Sequence, residues 1–291
     1  MTPYNGIPNL FTDTIKASNG RTYNYMVYLD PEYQMVQLPM LFYWNGKGET
    51  SGDVSLLYKY FFQQVTATAK PPFPCVMLCV QGMGWADNNN HDFHVGTVQD
   101  EIYATLKAKF NTGPVVLTGI SEGAMLASYA MYRWPNGIAK DVVLFVPMSS
   151  QLDGTITYNG WPIIDPNIAK SNVPVYGCGD IKGDNHASDL NNQIADLKKL
   201  NPSGHYEMDD TPGTGHGGWP ADYAFTSKLF GGLGFWGLSE KYLSGAVVVP
   251  PTKTITGVAV HYNTGPDAVA IGNIKSVVVN FADGTPSETI L

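Results

Sequence analysis

Short, solidly apolar runs recur along the chain, and between them apolar residues fall three and four positions apart. Thr22–Leu29 (TYNYMVYL) alternates and is rich in Tyr and Val, which predicts a strand. Met40–Trp44 (MLFYW), Val76–Gln81, Pro114–Thr118 (PVVLT), Asp141–Pro147 (DVVLFVP) and Val173–Gly177 read as buried strands, and His205–Asp209 as a last short one. Helical spacing lies between them. It places Val54, Leu57, Tyr58, Phe61 and Val65 on one face of Ser51–Val65, and Val98, Ile102, Leu106 and Phe110 on one face of Thr97–Phe110. Glu122–Trp134 is a further helix, and Leu190, Ile194, Leu197 and Leu200 line one that stops at Pro202 and Gly204. Apolar strands that alternate with amphipathic helices require a parallel sheet covered on both faces. The pattern therefore predicts a doubly wound α/β domain with a mostly parallel sheet over residues 1–250. Pro250-Pro251 marks a break. Gly257–Tyr262 and Ser276–Phe281 are β-patterned, with a turn at Ala282-Asp283-Gly284, so residues 251–291 read as a small β-rich appendage.

Composition narrows the class. With 291 residues, 44% of them hydrophobic, the chain can bury a sizeable core, and its 12% aromatics exclude disorder. A net charge of −8 lacks the clustered Lys and Arg that a nucleic-acid backbone requires, so no nucleic-acid partner is expected. No apolar run reaches the ~20 residues of a membrane span. The N-terminal MTPYNGIPNLFTDT lacks the basic start and apolar stretch of a secretion signal, while abundant Asn, Thr, Tyr and Gly suit an extracellular or virion-associated protein better than a cytoplasmic one. The three cysteines imply no disulfide framework: in a strand rising ~3.3 Å per residue, Cys75 and Cys79 lie roughly 13 Å apart.

The chemistry centres on Thr118-Gly119-Ile120-Ser121-Glu122-Gly123-Ala124, a G-x-S-x-G between a buried strand and a helix. A sharp strand-to-helix turn lifts the serine hydroxyl above the sheet edge. Small flanking residues avoid clashes, and the helix N-terminus directs N–H groups at any anion formed there. Ser121 needs a base. His216, in Thr214-Gly215-His216-Gly217-Gly218-Trp219 past the last core strand, sits on a glycine-flanked loop that can swing over a nucleophile. His205 reads as a strand residue and His186 as a capping or solvated residue heading a helix. The acid belongs at the sheet's carboxyl edge. Asp180, three residues after the expected strand end at Gly177, is favoured over Asp184, which also fits a turn or helix N-cap, as Asp189 does. The oxyanion donors are expected at the backbone of Glu122 and in the loop Trp44-Asn45-Gly46-Lys47-Gly48 that follows an earlier strand.

Trp85, Trp161 and Trp219 fall in loops at strand ends and are candidate substrate-binding aromatics. Asp87 with His91-Asp92-Phe93-His94 has the residue types of a metal site, but polar-loop histidines spaced this way are more often solvated, and neither metal nor cofactor is expected.

These residues resemble the α/β-hydrolase family, and within it the group of polyhydroxybutyrate-depolymerase-like enzymes and feruloyl and acetyl-xylan esterases. The resemblance spans roughly residues 20–230. It rests on Tyr25-Met26-Val27-Tyr28-Leu29-Asp30-Pro31, the oxyanion loop, the serine turn, the G-x-x-D after a strand, and the G-H-x-x-W ending. It implies an α/β-hydrolase fold, with Ser121 as nucleophile, Asp180 as acid and His216 as base. Oxyanion donors would lie near Gly46 or Lys47 and at Glu122. Two positions depart from the family: Asn45-Gly46 stands where His-Gly is common, and Glu122 where an apolar or amide residue usually follows the nucleophile. The implied activity is that of a serine carboxylic-ester hydrolase acting on a small-molecule or polymeric ester, carbohydrate-linked or polyester. The alternative is a non-catalytic hydrolase-like binding or structural module, with an assembly contact through residues 252–291.

Overall fold

The computed structural model describes residues 1–33, 37–50, 52–82, 97–150, 165–244, 255–262, 274–281 and 289–290. Strands whose side chains are buried on both faces must lie inside a sheet that is covered twice, and that is where the apolar runs fall. The strands of the main unit are β1 (Thr2–Pro3), β2 (Leu10–Lys16), β3 (Thr22–Leu29), β4 (Met40–Trp44), β5 (Val76–Val80), β6 (Val115–Ile120), β7 (Val142–Met148), β8 (Val175–Gly179) and β9 (Tyr206–Asp210). They form one nine-stranded sheet in the order β1-β2-β3-β5-β4-β6-β7-β8-β9. The first three pairings, through β3 with β5, are antiparallel. From β5 to β9 every pairing is parallel. The helices are α1 (Thr97–Phe110), α2 (Glu122–Tyr132), α3 (Asp165–Ser171) and α4 (Asn185–Leu200), followed by the short α5 (Trp219–Asp222) and by α6 (Gly234–Leu243).

The period of two divides the core. Tyr25, Val27, Phe42, Leu78 and Leu117 point to one face, where Ile102, Leu106, Ala127, Ile194 and Leu197 cover them. Met26, Tyr28, Leu41, Tyr43, Met77 and Val116 point to the other, against Leu57, Phe61, Trp236 and Leu238. Each fully buried side chain of this size contributes ~1.5–3 kcal/mol, so both faces are strongly committed and the register cannot slip.

Three local expectations differ from what is observed. Ser51–Val65 is not one α-helix but two 3-10 turns, Val54–Tyr58 and Phe62–Gln64, the first capped by the Asp53 carboxylate on the Ser55 N–H. Phe61 and Phe62 are consecutive and both fully buried, which one face of a regular α-helix does not provide. The strand expected at Val173–Gly177 runs Val175–Gly179, a shift of two residues that matters for the acid. The β1–β2 pair precedes the first strand expected from the pattern and extends the antiparallel edge.

The chain divides into two compact units, Met1–Val247 and Val248–Leu291. The second holds an antiparallel sheet of β10 (Ile255–Tyr262), β11 (Ile274–Phe281) and β12 (Thr289–Ile290). Among the described residues no helix is long and apolar enough to cross a membrane.

Candidate active site

Ser121 sits between β6 and α2 with φ 51° and ψ −122°. A non-glycine residue in that region is strained, and it persists only where the surroundings fix it. Its N–H donates to the Met148 carbonyl at 2.9 Å, and its carbonyl accepts from Met125 at 3.2 Å. The two flanking glycines are required by space. A Cβ on Gly119 would lie 2.5 Å from the Gly123 carbonyl oxygen, and one on Gly123 would lie 2.0 Å from that of Trp44. The second contact locks α2 onto the loop after β4, so the serine turn and the expected oxyanion loop are built as one piece.

His216 lies on the loop after β9. Its Nε2 is 2.9 Å from Ser121 Oγ, and its Nδ1 is 2.9 Å from an Asp184 carboxylate oxygen. The acid that reaches the imidazole is therefore Asp184, not Asp180. β8 ends at Gly179, so Asp180 is the first residue beyond it, and its buried carboxylate turns into the loops. There it accepts the N–H groups of Gly183 at 2.8 Å, Gly213 at 2.9 Å and Gly215 at 3.0 Å. The Gly215 and Gly183 amides, chiefly, hold Asp180 below the usual carboxylate range. Asp180 thus ties the loop after β8 to the loop carrying His216. Asp184, four residues on, is the N-cap of α4: one oxygen accepts the His186 N–H at 3.0 Å and the other faces His216. Capping and orientation are combined in one buried carboxylate.

The oxyanion loop is more constrained than a glycine turn. Asn45 accepts the Gly82 N–H at 2.7 Å through its side-chain oxygen and donates to the Gly46 carbonyl at 3.0 Å, which ties the end of β4 to the end of β5. Gly46 cannot supply the expected donor, because its N–H goes to the Glu49 carboxyl at 2.9 Å. No acceptor is found for the Lys47 N–H among the described residues. Glu122 is the first residue of α2, so its amide belongs to the positive end of that helix, and its side chain is buried.

Trp219 does not line an open rim. It is buried, with its ring 4.8 Å from that of His216 and nearly perpendicular at 87°, and it also meets the Tyr60 ring edge-on at 5.4 Å. It backs the imidazole. Trp85 and Trp161, and the Asp87, His91, Asp92 and His94 group, lie outside the described residues. His186, expected to cap or face solvent, is half-buried in the first turn of α4 with its ring 4.6 Å from that of His216. Burial, and then the charge of His216, lower its pKa, which favours a neutral ring. Asp184, His186 and His216 bring one potential metal-ligand atom each to within 4.8 Å of one another. Two of the three are already joined to each other by a hydrogen bond.

No protein-family model matches the chain, and no curated protein does. Solved structures do match. A thermostable esterase is 15% identical with a TM-score of 0.53, over 75% of this chain and 60% of its own. Brefeldin A esterase, described as a bacterial homologue of human hormone-sensitive lipase, is 13% identical with a TM-score of 0.51, over 84% of this chain and 78% of its own. The chain spans about three fifths of the length of the thermostable esterase. At these identities the likeness is one of fold alone, an α/β-hydrolase fold with a mostly parallel sheet.

Proposed function

We propose that the protein is a serine carboxylic-ester hydrolase, with Ser121 as nucleophile, His216 as general base and Asp184 as the orienting acid. The observation that carries this reading is the unbroken relay of 2.9 Å contacts from Ser121 Oγ through both His216 nitrogens to Asp184. In the reaction His216 Nε2 takes the hydroxyl proton as Ser121 Oγ bonds to the ester carbonyl carbon. Asp184 keeps the proton on Nδ1 and stabilises the imidazolium. The tetrahedral oxyanion is held by the Glu122 and Lys47 amides, in a site where such donors are worth most. The imidazolium returns its proton to the leaving alcohol, an acyl-serine remains, and water activated by the same imidazole releases the acid. The substrate class follows the sequence resemblance: a carbohydrate-linked or polymeric ester.

Strain at Ser121 supports this reading over a binding scaffold. A strained serine held against a histidine has a function in nucleophilic attack and none in packing. The test is covalent labelling with a fluorophosphonate followed by peptide mapping. The expected result is one adduct, on Ser121, that is absent from Ser121→Ala. Absence of an adduct, or an adduct that persists in Ser121→Ala, contradicts the reading.

A further inference from the structure

Glu49 is fully buried in the loop that carries the expected oxyanion donor, and the relay described above does not use it. One carboxyl oxygen receives the Gly46 N–H at 2.9 Å and the Tyr43 hydroxyl at 2.7 Å. The bond is reciprocated: the Glu49 N–H donates to the Gly46 carbonyl at 3.0 Å. The Gln81 side chain, at the end of β5, donates to the Glu49 carbonyl at 2.7 Å. Tyr43 is held in turn by a ring stack on Phe61 at 4.9 Å. Four points thus fix the short turn Gly46–Glu49, and among the described residues neither Lys47 nor Gly48, the two residues between the clamped ends, has an acceptor for its N–H; Lys47 is the one directly after the consumed Gly46 amide.

We propose that Glu49 is a positioning residue of the oxyanion loop, its carboxyl clamping the Gly46 amide so that the Lys47 amide is left to the oxyanion. This rests on the ester-hydrolase reading and deepens it. Glu49 neither touches substrate nor transfers a proton. It acts by choosing which loop N–H is consumed and by holding the other still, which is where preorganised donors gain their value.

The working form of the clamp is the neutral acid. Glu49 Oε1 is buried with no hydrogen-bond partner among the described residues, a position that a full negative charge would not tolerate. Burial pushes the carboxyl up to about 8, against the lowering effects of the Tyr43 and Gly46 hydrogen bonds and of the Lys59 charge. The titratable groups around it are Tyr43 on its own side, Cys79 on β5, Tyr223 after α5 and Lys59 after the first 3-10 turn. The two tyrosines and the cysteine stay neutral, each pushed well up by burial, so Lys59 is the charge among these groups, and it favours ionisation against the larger effect of burial.

Glu49→Gln mimics the neutral acid, offering one acceptor oxygen to Gly46 and Tyr43 and an NH2 in the place of the orphan oxygen. Glu49→Ala removes the clamp. The experiment compares wild type, E49Q, E49A and S121A for p-nitrophenyl butyrate turnover across pH 6–10. Gly46 amide hydrogen exchange is followed by NMR, and melting temperature confirms folding. E49A is expected to lose about tenfold or more in kcat with KM changed little, short of the roughly 10²–10³-fold that outright loss of a donor costs. E49Q is expected to hold kcat within about threefold and to lose the wild type's alkaline decline near pH 8. Gly46 exchange should be slow in wild type and E49Q and fast in E49A. A folded E49A with unchanged kcat, or with Gly46 exchange as slow as wild type, overturns the clamp. Absence of S121-dependent turnover in wild type defeats the hydrolase reading instead, and Gly46 exchange then decides the clamp by itself.

Discussion

Two aspartates four residues apart do different work, and the difference lies in side-chain direction. Asp184 meets the imidazole, while Asp180 collects three backbone amides and shapes the loops on either side of it. Asp184→Asn should leave the geometry in place but favour the wrong tautomer of His216, with kcat falling about 10⁴-fold and KM little changed. Asp180→Asn keeps an acceptor oxygen but loses the charge that strengthens those amide bonds. It should lower the melting temperature and reduce kcat far less than Asp184→Asn does. The pH dependence has a definite sign. Because the folded pKa of Asp180 lies below its unfolded value, its stabilisation is present above about pH 4 and is lost as pH falls further through the folded value. A melting-temperature series from pH 6 to pH 2 should therefore fall less steeply in Asp180→Asn than in wild type.

At the scale of elements, the serine turn and the loop after β4 form one interlocked unit. Gly123→Ala would drive a methyl group to 2.0 Å from the Trp44 carbonyl oxygen, and neither backbone can retreat without moving β4 or α2. The expected outcome is loss of the fold, or destabilisation at the exceptional end of ~4–5 kcal/mol, read by denaturant unfolding. Gly48 in the same loop has open space around it, and Gly48→Ala should fold normally. Glu49 gives this loop a stability signature of opposite sign to that of Asp180. Its folded pKa, raised to about 8 from 4.5, means that its contribution is fully present below about pH 4.5 and is lost as pH rises through about 8. Glu49→Gln should flatten the melting-temperature profile between pH 5 and pH 9.

Much of this was legible in the residues because hydrophobic period is a direct image of burial. The solid runs of β4, β5, β6 and β7, the G-x-S-x-G turn and the glycine-flanked His216 all stand where the pattern put them. What the pattern could not give was direction and tightness. The pattern favoured Asp180, whereas the His216 imidazole contacts Asp184, since position along a chain fixes the sheet edge but not the side to which a carboxylate turns. Asp184 was legible as an N-cap, and its second oxygen made it more. Glu49 was invisible: a charged residue in Gly-Lys-Gly-Glu reads as a solvated turn, and only burial reveals a clamp. Ser51–Val65 had helical spacing but too many inward side chains for one helix face, and it folded into tighter turns.

For the whole molecule, the nine-stranded sheet, both core clusters and the Ser121–His216–Asp184 relay lie within Met1–Val247. The unit Val248–Leu291 pairs its strands among themselves. A chain ending at Val247 is expected to fold with a cooperative transition and to keep the turnover of the full chain within about twofold, since a unit with its own core folds alone. Insoluble or inactive 1–247 would assign the second unit a structural part in the first.

The central claim is tested most directly by steady-state hydrolysis of p-nitrophenyl acetate, butyrate and octanoate with wild type, Ser121→Ala, Asp184→Asn and Asp180→Asn, each checked for folding. The account predicts turnover by wild type that is abolished in Ser121→Ala, reduced about 10⁴-fold in Asp184→Asn and largely retained in Asp180→Asn. Turnover that survives Ser121→Ala, or that depends on Asp180 rather than Asp184, would contradict it.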